Sequence, residues 1–80
     1  MAKEQKYSDA FGVVLRVCRQ EKGLTQEQLG ERVGVVHSFI HSLESGKRKP
    51  SLEMIAKLGI ALGVPPGDLV NAMMDRHSNK

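Results

Sequence analysis

Eighty residues with a net charge of +3 and a pI near 9.3 allow one small, mildly basic domain with a modest core. A single cysteine forms no intrachain disulfide, and no apolar run approaches a membrane span or a signal-peptide core, so the composition excludes a disulfide scaffold and a membrane protein and reads as cytoplasmic. One tyrosine, two phenylalanines and no tryptophan speak against stacking on splayed single-stranded bases, whereas the basic balance fits a polyanion partner.

In chain order, residues 1–7 are polar and read as a frayed N-terminus. Ser8 or Asp9 can cap a first helix that runs to about Lys22, stops at Gly23 and turns Phe11, Leu15 and Cys18 toward a core. Val13, Val14 and Val17 make this helix apolar beyond that stripe, which implies either a second interface or a more deeply covered helix. Thr25 and Gln28 form a capping box for the second helix, in which Leu29 and Val33 share a face. Gly30 leaves room for another helix to cross closely, and Gly34 suits a left-handed helix end. The third helix runs from about His37 to Ser45, buries Ile40 and Leu43 and stops at Gly46. After the loop Gly46-Lys47-Arg48-Lys49-Pro50, Ser51 caps a fourth helix with Leu52, Ile55, Ala56, Gly59 and Leu62 as its buried stripe and Gly63 as its end. Pro65 and Pro66 open a fifth helix carrying Leu69, Val70, Met73 and Met74, with a polar tail from about Arg76. No alternating β pattern of useful length occurs, so the fold class is all-α: one domain over residues 8–75, then a tail over 76–80.

The stretch from Gln26 to Ser45 carries the functional signal. Two short helices joined by a tight turn containing glycine form the unit that lays its second helix in the DNA major groove. His37, Ser38, His41, Ser42 and Ser45 fall opposite Ile40 and Leu43, and all five can hydrogen-bond. Polarity alone is ordinary for a surface helix. The absence of Lys, Arg and Glu from this face is more telling, because solvated faces usually carry those residues while base edges call for placed donors and acceptors. Lys47, Arg48 and Lys49 crowd the loop after this helix; such a run is often only a solvated loop, but here its place assigns it to phosphate contact. His37 and His41 have metal-ligand spacing, yet no third ligand is evident, so neither a metal nor another cofactor is expected. There is no nucleophile–base constellation and no phosphate-cradling glycine loop, so an enzyme is not expected either.

Gly23-Leu24-Thr25-Gln26-Glu27-Gln28-Leu29, Gly34-Val35, Ile40 with Leu43-Glu44 and Gly46, Pro50-Ser51-Leu52-Glu53 and Ala61-Leu62-Gly63-Val64 together resemble the Cro/C1-type (Xre, lambda-repressor-like) helix-turn-helix family over about residues 11–70. The resemblance implies a compact five-helix lambda-repressor-like domain acting as a sequence-specific transcriptional regulator on double-stranded DNA. It implies base contacts at His37, Ser38 and Ser42, with His41 and Ser45 beside them. Gln26 is expected to bond a phosphate and brace the start of the recognition helix, and Arg19 to pair with Glu44 as a partly buried brace between helices one and three. A homodimer on a pseudo-palindromic operator follows, with half-sites about 34 Å apart, acting by blocking or by touching RNA polymerase. The fifth helix is the expected dimer surface, since Leu69, Val70, Met73 and Met74 exceed what one face of a terminal helix buries; alternatively Leu69 and Met73 complete the monomer core. The rival function is an antitoxin or other module whose main partner is a protein. Three departures from the family pattern stand out: Val36 occupies the usual Ser/Thr cap of helix three, Ile60 stands where a polar residue is usual and extends the dimer surface, and Val13, Val14 and Val17 make helix one unusually apolar.

Overall fold

Local chemistry sets the helix boundaries. The computed structural model describes residues 6–78, and among them are five helices and no strand: α1 (Tyr7–Glu21), α2 (Gln26–Val33), α3 (His37–Glu44), α4 (Leu52–Leu62) and α5 (Pro66–Ser78). At α2 the capping box is complete, with the Gln28 amide N–H donating to Thr25 Oγ1 at 3.0 Å and the Thr25 N–H to Gln28 Oε1 at 2.9 Å. Ser51 caps α4 by accepting from the Met54 N–H at 3.0 Å. Gly34 ends α2 at φ 81°, a left-handed conformation that a side chain would oppose.

Two ends differ from the sequence reading. The N-cap of α1 is Lys6, not Ser8 or Asp9; Ser8 lies inside the helix and is buried. The helix starts early because Tyr7 stacks on His77 of α5, ring centroids 4.0 Å apart. The same contact explains why α5 continues through Arg76 and His77 to Ser78, where a polar tail was expected. Of the terminal segments expected to be frayed or polar, residues 1–5 and 79–80 lie outside the described residues. The third helix closes at Glu44, with Ser45 as its C-cap.

Every helix contributes to the core. Phe11, Leu15, Leu29, Ile40, Leu43, Leu58, Leu62 and Leu69 are buried to 1% exposure or less, each such burial worth about 1.5–3 kcal/mol. Leu52, expected in the α4 stripe, is 85% exposed, and Leu58 takes the core position instead. Leu52 is the first residue of α4, ahead of the Ile55–Leu58–Leu62 ridge that packs inward. Val14 belongs to the core, Val13 is half-buried and Val17 exposed, so α1 is partly the more covered helix that its valines allowed. With Cys18, Ala72, Asp75 and Arg76, these three valines line an open groove of about 420 Å³ between α1 and α5. Burial pushes the Cys18 thiol up from its ordinary range, and nearby Glu21 adds to the rise.

Gly30 and Gly12 permit close backbone approach around α3, as Gly59 does at the Val64 carbonyl. An added Cβ at Gly30 would strike the Val35 carbonyl, so the space it leaves admits the turn into α3 rather than another helix. A Cβ at Gly12 would lie 2.6 Å from the Leu43 carbonyl oxygen and nearer still to that of Glu44, so α1 rests on the backbone at the end of α3. Because both obstacles are backbone, Gly12→Ala should lower unfolding free energy by about 1–3 kcal/mol in urea titration. Gly67→Ala in α5, where an added Cβ meets nothing within 4 Å, should be neutral or stabilising by up to about 1 kcal/mol.

Candidate nucleic-acid interface

Helix α3 is fixed at its C-terminal end. Arg19 Nε donates to Glu44 Oε2 at 2.5 Å and Nη2 to Oε1 at 3.1 Å, a two-pronged pair between side chains only 12% and 4% exposed. Arg19 Nη1 also donates to the Leu24 carbonyl at 2.7 Å, tying in the turn that follows α1. The hydrogen bonds to Glu44 hold the guanidinium even more firmly in its charged form; burial opposes this, and the attraction of the carboxylate adds to it. Gln26 completes the brace, its amide Nε2 donating to Glu44 Oε1 at 3.1 Å. This corrects the expected geometry: Gln26 reaches the last residue of α3 and not its start. The start is held through Gly30, whose carbonyl accepts from the N–H groups of Gly34 at 2.8 Å and Val35 at 2.9 Å.

With Ile40 and Leu43 in the core, α3 turns His37, Ser38 and His41 to solvent, with Ser42 half-buried beside them. Ser45 is exposed too, but its hydroxyl donates back to the Ser42 carbonyl at 3.2 Å. That same carbonyl accepts from the backbone N–H groups of Lys47 at 3.0 Å and Arg48 at 3.2 Å. Gly46 makes the sharp bend at φ 80° and lies against Asp9. The basic loop is therefore laid against the end of α3. Arg48 folds over the ring of Phe39, 4.5 Å from its centroid, while Lys47 and Lys49 are exposed and make no ion pair among the described residues.

The three residues between α2 and α3, the left-handed Gly34 and the inward pair Ile40 and Leu43 are those of a helix-turn-helix unit. A helix-turn-helix domain model matches residues 10–73. The chain belongs to the Cro/C1-type helix-turn-helix family of transcriptional regulators. It is 48% identical over 50 residues to an uncharacterized HTH-type transcriptional regulator of Methanothermobacter thermautotrophicus, covering 62% of this chain and 72% of the relative. It is 37% identical over 62 residues to the control protein C.BamHI of Bacillus amyloliquefaciens, covering 76% of each chain. Among solved structures, the restriction-modification controller C.AhdI of Aeromonas hydrophila superposes with a TM-score of 0.75 at 40% identity, covering 78% of this chain and 94% of that one. The clp gene regulator ClgR of Corynebacterium glutamicum superposes with a TM-score of 0.89 at 29% identity, covering 95% and 81%. These relatives are named as regulators and controllers, none as an enzyme.

Within the helix-turn-helix frame, the structure brings His37, Ser38, His41, Ser42, Ser45 and the loop residues Lys47, Arg48 and Lys49 to α3 and its exit. Gln26 lies in the brace, bonded to Glu44 at the end of the same helix. The sequence reading missed Phe39, whose place beside Ile40 on α3 gave no sign that its ring carries Arg48. It also missed Arg32 of α2, whose Nη1 donates to the Ala61 carbonyl of α4 at 3.2 Å.

Removing the carboxylate at Glu44 strands Arg19 and frees Gln26, so Glu44→Ala should cost about 3 kcal/mol in denaturant unfolding. Removing Glu53, whose 3.5 Å pair with Lys57 joins side chains 79% and 50% exposed, should cost no more than about 0.5 kcal/mol.

Proposed function

We propose that the protein is a sequence-specific double-stranded DNA-binding regulator that acts as a homodimer on a pseudo-palindromic operator. The observation that carries this reading is the charge arrangement of α3. Its one acidic residue, Glu44, is locked in the brace, which leaves an outer surface of neutral and imidazole side chains beside a basic loop whose Lys47 and Lys49 make no ion pair among the described residues. Such a surface accepts a phosphate-lined groove without like-charge repulsion and offers donors and acceptors to base edges.

In this reading His37, Ser38, His41 and Ser42 face the bases, with Ser45 at the edge of the contact. Lys47, Arg48 and Lys49 neutralise backbone phosphates, setting affinity and register rather than sequence preference. Gln26, at the first turn of α2, offers its side chain to a phosphate as well as to Glu44. The family membership and the likeness to named controller proteins support the regulatory role. Action is by promoter occupancy in a bacterial or phage setting, excluding RNA polymerase or touching it.

The dimer surface needs revision. Leu69 is 1% exposed and Met73 packs against the core, so both serve the monomer and neither is left whole for a partner. What α5 retains for a second copy is half-buried Val70 and Met74 at 43% exposure; Ile60 of α4, at 78%, is the further apolar group that a partner would cover.

Selection of bound duplexes from a random library near physiological salt should return an inverted repeat with half-sites about one DNA turn apart. Recovery of no motif, with binding that vanishes as salt rises, would leave electrostatic attraction alone and favour a protein partner instead. On the selected duplex, Lys49→Gln should weaken binding evenly across sequence variants and shallow the log–log salt slope by roughly 0.9 for each phosphate no longer neutralised. In sedimentation equilibrium, Met74→Glu should raise the dimer dissociation constant about tenfold or more, because a carboxylate resists burial in an apolar contact.

A further inference from the structure

Val36 is 69% exposed, in backbone-extended conformation at the N-cap of α3. The helices on either side of α3 in the chain are capped by side chains, Thr25 for α2 and Ser51 for α4, while α3 has no side-chain cap bond. Val36 therefore neither satisfies the helix N–H groups nor packs in the core. Its neighbour Val35 does pack against the core, and the Val35 N–H is bonded to the Gly30 carbonyl at 2.9 Å. On the other side, the Val36 carbonyl accepts from the Phe39 N–H at 3.0 Å. The backbone is thus held on both sides, and a β-branched side chain has few rotamers. Its two methyl groups are presented rigidly, next to His37 and Ser38.

We propose that Val36 is a specificity-determining residue that reads the 5-methyl group of a thymine in the major groove. This deepens the DNA-binding reading above and rests on it. In a helix-turn-helix complex the N-terminal residues of the second helix approach the base edges. Among the groups that the base pairs present in the major groove, the thymine methyl is the bulky apolar one, and an apolar side chain recognises it by contact. A valine flanked by imidazole and hydroxyl readers supplies the apolar contact that those two lack. A lone exposed valine is otherwise ordinary on a protein surface. This one occupies a position where a hydroxyl would bond the helix, and it leads directly into the surface assigned to the bases.

The test uses the full chain and the duplex recovered by selection. Each thymine of a half-site is replaced in turn by deoxyuracil, which deletes only the methyl group. One thymine position should lose about fourfold in affinity, the worth of one buried methyl-sized group, and roughly fifteenfold when both half-sites are changed. Val36→Ala should bind the thymine and uracil duplexes equally at that position while keeping the effects of base changes elsewhere. Val36→Thr keeps one methyl and restores a capping hydroxyl, so it should melt higher than the native protein and retain part of the uracil sensitivity. Uracil effects within twofold at every position, or a uracil effect that persists unchanged in Val36→Ala, would overturn the assignment while leaving DNA recognition intact. Failure to select any motif would overturn the function and this assignment with it.

Discussion

The ion pair between Arg19 and Glu44 is the constraint on which the geometry of α3 depends. It joins side chains 25 positions apart in the sequence, lies almost wholly out of solvent, and is shared with Gln26 of α2 and the Leu24 carbonyl. Buried charges tolerate little displacement, because any gap leaves desolvation uncompensated. Gly12 adds a steric condition at the same place, since α1 comes to rest directly on the Leu43 and Glu44 carbonyls. Apolar packing of Ile40 and Leu43 alone would bury the correct face while leaving α3 free to slide or roll. The brace removes that freedom at one end, and the Gly30 carbonyl removes it at the other.

The brace also has an electrostatic consequence. Glu44 is the acidic residue of α3, and its neutralisation by Arg19 takes negative charge away from the side where polyanion binding is proposed. The loop that follows is equally ordered. Three donors converge on the Ser42 carbonyl, and Arg48 rests on Phe39, so the basic residues start from a defined position and little of the entropy of loop ordering remains to be lost on binding. Ser42, one of the residues proposed to face the bases, thus also anchors the basic loop through its backbone carbonyl.

What could be read from the sequence was what local chemistry decides. The Thr25–Gln28 capping box, the Ser51 cap and the left-handed Gly34 are determined by residues within a turn of one another, and all appear as expected. The Arg19–Glu44 pair was legible only through resemblance, because nothing in a separation of 25 residues announces a contact. Long-range packing decided the rest. Which ridge of α4 faces inward depends on where the neighbouring helices cross it, and this replaced Leu52 with Leu58. Tyr7 and His77 come from opposite ends of the described chain, so neither the early start of α1 nor the extension of α5 had a local signature. For the site, the polar face of α3 was visible as a pattern, whereas the Phe39–Arg48 contact and the reach of Gln26 to Glu44 required the folded backbone.

The central claim is that α3 and its basic exit loop meet DNA. An NMR titration of the isotopically labelled protein with an operator duplex tests it most directly, because each backbone amide reports its own surroundings. The largest shift changes are expected at residues 36–42 and 45–51, with a smaller change at Gln26. Changes concentrated on the α1–α5 groove around Val17 and Arg76, with α3 unmoved, would contradict it.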